Sequence, residues 1–251
     1  MPHSLFDAHL HIIDSAYPLM PNRGYLPEPY PVAEYLEELS PFNVEGGAVV
    51  SGSFQGFDQT YLLAALQQLG PQFVGVTQLP HSVSDEELVR LNRQGVRALR
   101  FNVHRGGSES LHALAAMALR VNELCGWHVE LYIDSTQLGA VLSLLQDIPS
   151  FSIDHLGLSQ QGLPWLLRAV ELGGRVKASG FGRVSLDVAG TLQQIYQLDP
   201  GALMFGSDLP GTRAPRRFCA ADIELLVDAL GVDGADRVLR RNGRVFYRCG
   251  G

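Results

Sequence analysis

Short apolar runs alternate with stretches of helical period along almost the whole chain. Leu5-Phe6-Asp7-Ala8-His9-Leu10-His11 reads as a first strand, begun almost as soon as the chain begins. Residues 14–31 carry Pro18, Pro21, Pro27, Pro29 and Pro31, and prolines that dense forbid a regular element. A long loop is expected there, and loops of that length are usually functional. A helix over about 32–40 leads to the run 47–53, short enough for a buried strand. The pattern repeats with a helix at 61–69 and a strand at 73–79. Ser84-Asp85-Glu86-Glu87 is a capping box that opens a helix to 94, because the serine can accept from the third helical N–H while Glu87 reaches back. A strand follows at 96–103, then a helix at 110–125 closed by Gly126, and a strand at 128–134. The helix 137–147 and the strand 151–155 come next, and Pro164 suits the first position of a helix running to 172. The strand 176–180, the helix 186–198 and the strand 203–208 complete the alternation, with two further helical stretches at 221–230 and 234–247.

Eight apolar runs starting roughly 25 to 40 residues apart imply parallel strands joined by helical crossovers. An open doubly wound sheet would call for a Gly-rich phosphate turn after the first strand, and here Ile12-Ile13-Asp14 and prolines follow it. The count of eight, the length and the polar residues at strand ends favour a closed (β/α)8 TIM barrel. No composition shift divides the chain, so residues 1–251 read as one α/β domain.

Composition narrows the partners. With 251 residues, 46% hydrophobic and 18% charged, the chain can bury about three quarters of its unfolded surface. A formal charge of −7 without a basic patch argues against nucleic acid or an anionic membrane. Cys125, Cys219 and Cys249 are odd in number and unrelated in spacing, which reads as free thiols of a reducing compartment and fits no Cys-ligated zinc pattern. Neither a secretory start nor an apolar run of about 18 residues is seen, so a cytoplasmic location is expected.

In such a barrel the active site lies at the C-terminal ends of the strands. The polar residues expected there are His9 and His11 on strand 1, Ser53 on strand 2, Arg100 on strand 4, Tyr132 on strand 5, His155 on strand 6 and Asp208 on strand 8. Each interrupts an apolar run, where an unpartnered polar group would cost a few kcal/mol. One alone would read as a satisfied core group; seven on one rim read as a site. His3, His81, His104 and His112 lack a partner pattern and read as surface or loop residues, and Trp127 and Trp165 as outer-shell packing.

Three blocks, Asp7-Ala8-His9-Leu10-His11, Ile153-Asp154-His155-Leu156-Gly157 and Phe205-Gly206-Ser207-Asp208-Leu209-Pro210, resemble the amidohydrolase superfamily. The likeness is to its amidohydrolase-2 branch, which holds 2-pyrone-4,6-dicarboxylate lactonase and related sugar lactonases. Gly95-Val96-Arg97-Ala98-Leu99-Arg100-Phe101-Asn102, Lys177-Ala178-Ser179-Gly180 and Arg241-Asn242-Gly243 extend it over nearly the whole chain.

The resemblance implies a hydrolase that opens a small lactone. Superfamily metal sites add a Lys or Glu on strand 4, or a histidine on strand 5, where this chain has Arg100 and Tyr132. A guanidinium does not ligate, and His128 comes too early on strand 5 to reach the rim. The expectation is therefore hydrolysis with no metal and no cofactor. Asp208 is implied as the base that takes a proton from water, with His9, His11, His155 and Arg100 polarising the carbonyl and Tyr132 donating to it or to a substrate carboxylate. Arg183 and Ser53 would bind a substrate anion. In the dicarboxylate lactonase an arginine follows the strand-6 histidine by three residues, and here Leu158 stands there. Arg105, Arg213, Arg216 and Arg217 could compensate from rim loops, but read first as solvated surface. Two alternatives stay open: a zinc-dependent decarboxylase of the same branch, with metal on His9, His11, His155 and Asp208, and a barrel that only binds.

Overall fold

A computed structural model describes residues 4–249, which leaves His3 outside the described residues. Eight parallel strands form one sheet in sequential order: β1 (Ser4–Leu10), β2 (Asn43–Val50), β3 (Phe73–Thr77), β4 (Val96–Asn102), β5 (His128–Tyr132), β6 (Phe151–Ile153), β7 (Arg175–Ser179) and β8 (Leu203–Gly206). Backbone bonds from Asp208 N–H to the His9 carbonyl (2.7 Å) and from His11 N–H to the Leu209 carbonyl (2.8 Å) bring the last strand back to the first. The architecture is the (β/α)8 barrel.

The helices between the strands are α1 (Val32–Glu38), α2 (Thr60–Leu69), α3 (Asp85–Arg93), α4 (Leu114–Cys125), α5 (Leu142–Leu145), α6 (Leu163–Glu171) and α7 (Val188–Leu198), and α8 (Ala220–Asp236) and α9 (Asn242–Tyr247) follow β8. Ser84 caps α3 by accepting from Glu87 N–H. Parallel strands covered on both faces need apolar side chains on both, which is why they read as continuous apolar runs. Leu5, Leu10, Val49, Leu99 and Leu131 pack outward in the layer shared with the helices. Phe6, Ala8, Ala48, Val50, Val74, Val76, Ala98 and Met204 fill a second cluster with Tyr247 of α9. No helix among the described residues is long and apolar enough to cross a membrane.

Three expectations are corrected. The helix expected at 137–147 is a 3-10 turn (Ser135–Ala140) followed by the single turn of α5, because Asp134 caps Thr136 and starts the winding early. The two tail helices are one run broken at Gly231, whose φ of 71° leaves the helical region, and it passes through a π turn (Arg237–Arg241) into α9. Strands β6 and β8 end at Ile153 and Gly206, so His155 and Asp208 lie beyond them on residues with φ of 52° and 60°. Non-glycine residues there store backbone strain, which other contacts must offset.

Candidate active site

The register of β1 against β2 slips between Asp7 and Leu10: three residues on β1 are matched by two on β2, from Gly47 to Val49. An extra residue at a bulge resets the alternation. Phe6 and Ala8 therefore face the barrel interior, Leu10 packs outward, and His9 and His11 turn inward above Ala8. Asp7 fixes this arrangement by accepting from Ser207 N–H (2.8 Å), the Ser207 hydroxyl (2.6 Å), Tyr35 and His9 N–H. Burial pushes its carboxyl up to about 6 against those bonds. Gly206 allows the close approach, since a Cβ there would meet the His9 Cβ at 2.6 Å.

A small pocket opens at this end of the barrel, lined in part by His11, Ser53, Arg100, Tyr132, His155, Arg183 and Asp208. His9 is fully buried beneath it. All eight residues named from sequence are thus within or directly under one pocket. Asp208 Oδ1 faces His11 Nε2 at 3.7 Å and the Nε2 atoms of His9 and His155 at 3.9 Å each. Its other oxygen, Oδ2, accepts from Arg183 through both Nε (2.7 Å) and Nη2. Arg183 is thereby the ion-pair partner of Asp208, in addition to lining the pocket.

Electrostatics follow from burial and these pairs. Burial alone would raise the Asp208 carboxyl, but Arg183 and the imidazoles hold it well below the usual carboxylate range. Burial depresses His9 to about 3 and His155 well below the usual imidazole range, so both rings are neutral near pH 7. The His11 Nδ1 lies 2.7 Å from the Val50 carbonyl. A carbonyl only accepts, so Nδ1 carries a hydrogen, and Nε2 is the nitrogen that His11 turns to Asp208 and the pocket. His155 Nδ1 meets the Ser179 hydroxyl at 2.9 Å, which can donate and leave Nε2–H toward the pocket.

Arg100 lines the pocket with its charge already paired. Its guanidinium donates to the Ser51 carbonyl and to Asp154 Oδ2 (2.8 Å), so its charge is paired with a fully buried carboxylate. Tyr132 stands between Arg100 (5.5 Å to the ring centre) and His155 (5.0 Å between rings). His104, read from sequence as a surface or loop residue, lies in the loop after β4, half-buried 5.0 Å from the Tyr132 ring. Trp127, placed in the outer shell, packs fully buried in the layer shared with the helices and donates to Asn92.

Sequence reasoning assigned no role to Asp154, Glu130, Lys177 or Ser179, which support the site from below. Their signal was available: Lys177 and Ser179, like Glu130 and Tyr132, are polar at period two in otherwise buried strands. Arg105 and Arg213 line the pocket, whereas Arg216 pairs with Asp222 and Arg217 with Glu38.

The profile of the amidohydrolase family matches residues 6–248. The chain belongs to the amidohydrolase family. Two curated relatives are hydrolases by name, one of a pyrone dicarboxylate and one of a lactone. A 2-pyrone-4,6-dicarboxylate hydrolase of Comamonas testosteroni is 28% identical over 162 residues, 62% of this chain and 53% of that protein, so the match spans about half of its length. A 4-sulfomuconolactone hydrolase of Hydrogenophaga intermedia is 26% identical over 233 residues, 84% of this chain and 76% of that one. An Agrobacterium tumefaciens crystal structure shares the fold at 21% identity, with a TM-score of 0.86 over 100% of this chain and 97% of that one.

Proposed function

We propose that this amidohydrolase hydrolyses a small anionic lactone, without a metal, and that Asp208 receives the proton of the attacking water. The observation that carries the reading is the Asp208 carboxylate with one oxygen fixed by Arg183 and the other turned to three imidazoles. The names of the two curated relatives support the substrate class. Water donates one hydrogen to Asp208 Oδ1 and the other to the lone pair of His11 Nε2, which aims its remaining pair at the lactone carbonyl. N–H donors at His9 and His155, with the Tyr132 hydroxyl, take the charge that develops on the carbonyl oxygen. The ring oxygen then leaves as the C–O bond breaks, and the proton held at Asp208 is delivered to it.

Two features favour an anionic substrate. Arg105 and Arg213 reach the pocket mouth, and neither has a carboxylate within ion-pair distance among the described residues. Arg213 is held over the Tyr25 ring at 4.3 Å and by Asn22, which points a fixed charge at the opening. Ser53 supplies a polar wall beside them.

Charge balance supports metal independence. Arg100, Lys177 and Arg183 are buried against Glu130, Asp154 and Asp208, while a fourth buried carboxyl, Asp7, is held by Ser207, Tyr35 and the His9 N–H. A dication added to neutral imidazoles would leave excess positive charge in a dry site. A second reading is favoured by one observation: His9 Nε2 and Asp208 Oδ1 are buried without hydrogen-bond partners, and with His11 Nε2 they lie within 4.8 Å of one another. Those donor atoms fit a divalent ion such as zinc, held by His9, His11 and Asp208, which would supply an ionised water. Elemental analysis, with rates on carboxylated and sugar lactones before and after chelation, separates the two. Turnover retained in metal-free protein is expected; activity lost on chelation and restored by zinc establishes the second reading.

A further inference from the structure

We infer that Lys177 sets the tautomer of His9 and so makes His9 a hydrogen-bond donor toward the reacting carbonyl, an inference that rests on the lactone-hydrolysis reading. Lys177 is the only lysine in the chain; every other residue in its count of 19 lysines and arginines is an arginine. In a sequence that uses guanidinium everywhere else, one ammonium marks a place where a compact donor is required.

That place is the barrel interior. Lys177 is fully buried on β7. Its Nζ donates to Glu130 Oε2, lies 3.2 Å from His9 Nδ1 and stands 3.5 Å from Asp154 Oδ1. Three partners around one nitrogen suit the tetrahedral hydrogens of an ammonium and not a planar fork. Glu130 is itself held by His128 Nε2 (3.1 Å) and by the Tyr247 hydroxyl, so the ammonium is anchored from α9 upward.

An ammonium has no lone pair, so at this contact His9 Nδ1 must accept. The neutral ring then carries its hydrogen on Nε2, the nitrogen that faces Asp208 Oδ1. His11, two residues on, has the opposite polarity, because its Nδ1 donates to Val50. The pair thus offers one donor and one acceptor to the same small volume, the polarity needed to hold an oxyanion beside a water.

Asp154 is the competitor for the same nitrogen. Its Oδ1 lies 3.4 Å from His9 Nδ1. If that oxygen took the hydrogen of Nδ1, Nε2 would become a bare lone pair, unable to donate to an oxyanion and suited to a cation instead. Lys177 blocks that outcome by donating to Nδ1 and sharing Asp154 Oδ1, while Arg100 holds Oδ2. Lys177 is therefore a positioning residue, acting through His9.

Long-range 1H–15N correlation on protein with 15N-labelled histidine reads the tautomer of each ring, and His9→Gln assigns the signals of His9. The protein as purified is expected to show His9 as Nε2–H, unchanged by chelator. Lys177→Met is expected to move the hydrogen to Nδ1 and to lower kcat on an anionic lactone on the order of 10²-fold, with KM within a few-fold. If that variant does not fold, Lys177→Met/Glu130→Gln removes both charges together and is read the same way. Nδ1–H in the parent, or Nε2–H retained in the lysine variants, overturns the proposal. Nε2–H in the parent and Nδ1–H in the variant with no lactone turned over by the parent sinks the hydrolase reading and leaves the tautomer assignment supported.

Discussion

Arg183 places both Nε and Nη2 on a single oxygen of Asp208, Oδ2, and leaves Oδ1 to the imidazoles of His9, His11 and His155. One carboxylate is thereby divided into a fixed half and a working half, and the predictions below follow from that division.

Asp208→Asn keeps the shape and removes the basicity, so kcat is expected to fall on the order of 10²–10⁴-fold. Because it strands the Arg183 charge in a buried site, it should also cost about 3–5 kcal/mol of stability. The double variant Asp208→Asn/Arg183→Met should recover most of the melting temperature and none of the rate. Rates within a few-fold of the parent would move the base to another group.

Arg183 also decides how the rate depends on pH. With its cation in place, Asp208 is held well below the usual carboxylate range, so it is expected to contribute no acidic limb to kcat/KM near neutral pH. In Arg183→Met the nearest opposing charge is lost while the imidazoles remain, so burial raises the carboxyl and activity should fall at a higher pH in the variant than in the parent. Superimposable pH profiles would show that Asp208 does not exchange a proton in the rate-limiting step.

Arg105 and Arg213 should act on the substrate's charge. Replacing either with Met is expected to raise KM for a carboxylated lactone roughly 10- to 100-fold, corresponding to about 1.5–3 kcal/mol for a charge-assisted hydrogen bond, with little effect on a neutral lactone. Equal losses on both substrates would assign these arginines to loop structure.

Stability should fall on acidification, with the raised Asp7 carboxyl, at about 6 in the folded protein, opposing the trend in part below that pH. His9 and His155 are neutral in the folded protein with depressed pKa values, yet take up protons near 6.5 once unfolded. The unfolded state then binds more protons, so stability rises with pH and is lost as pH falls from about 6.5 toward the folded values. Each histidine contributes about 1.4 kcal/mol per pH unit in that window. Denaturant melts at pH 7, 6 and 5 measure the slope; a flat profile would mean that these rings are already protonated when folded.

The sequence by itself determined the barrel, because covered parallel strands must be apolar on both faces and the helices between them keep their own period. It also determined which polar residues gather, since His9, His11, Arg100, His155 and Asp208 interrupt runs that have no other reason to be polar. The faces and partners were decided only by the tertiary structure. Strict alternation from Phe6 and Ala8 would have sent His9 and His11 outward, and the bulge between Asp7 and Leu10 turns them in. Among the rim arginines, Arg105 and Arg213 reach the pocket while Arg216 and Arg217 find Asp222 and Glu38. An ion pair depends on which loops meet in space, and residues 25 to 179 positions apart, such as Arg183 with Asp208 or Arg217 with Glu38, leave no periodic trace in the chain.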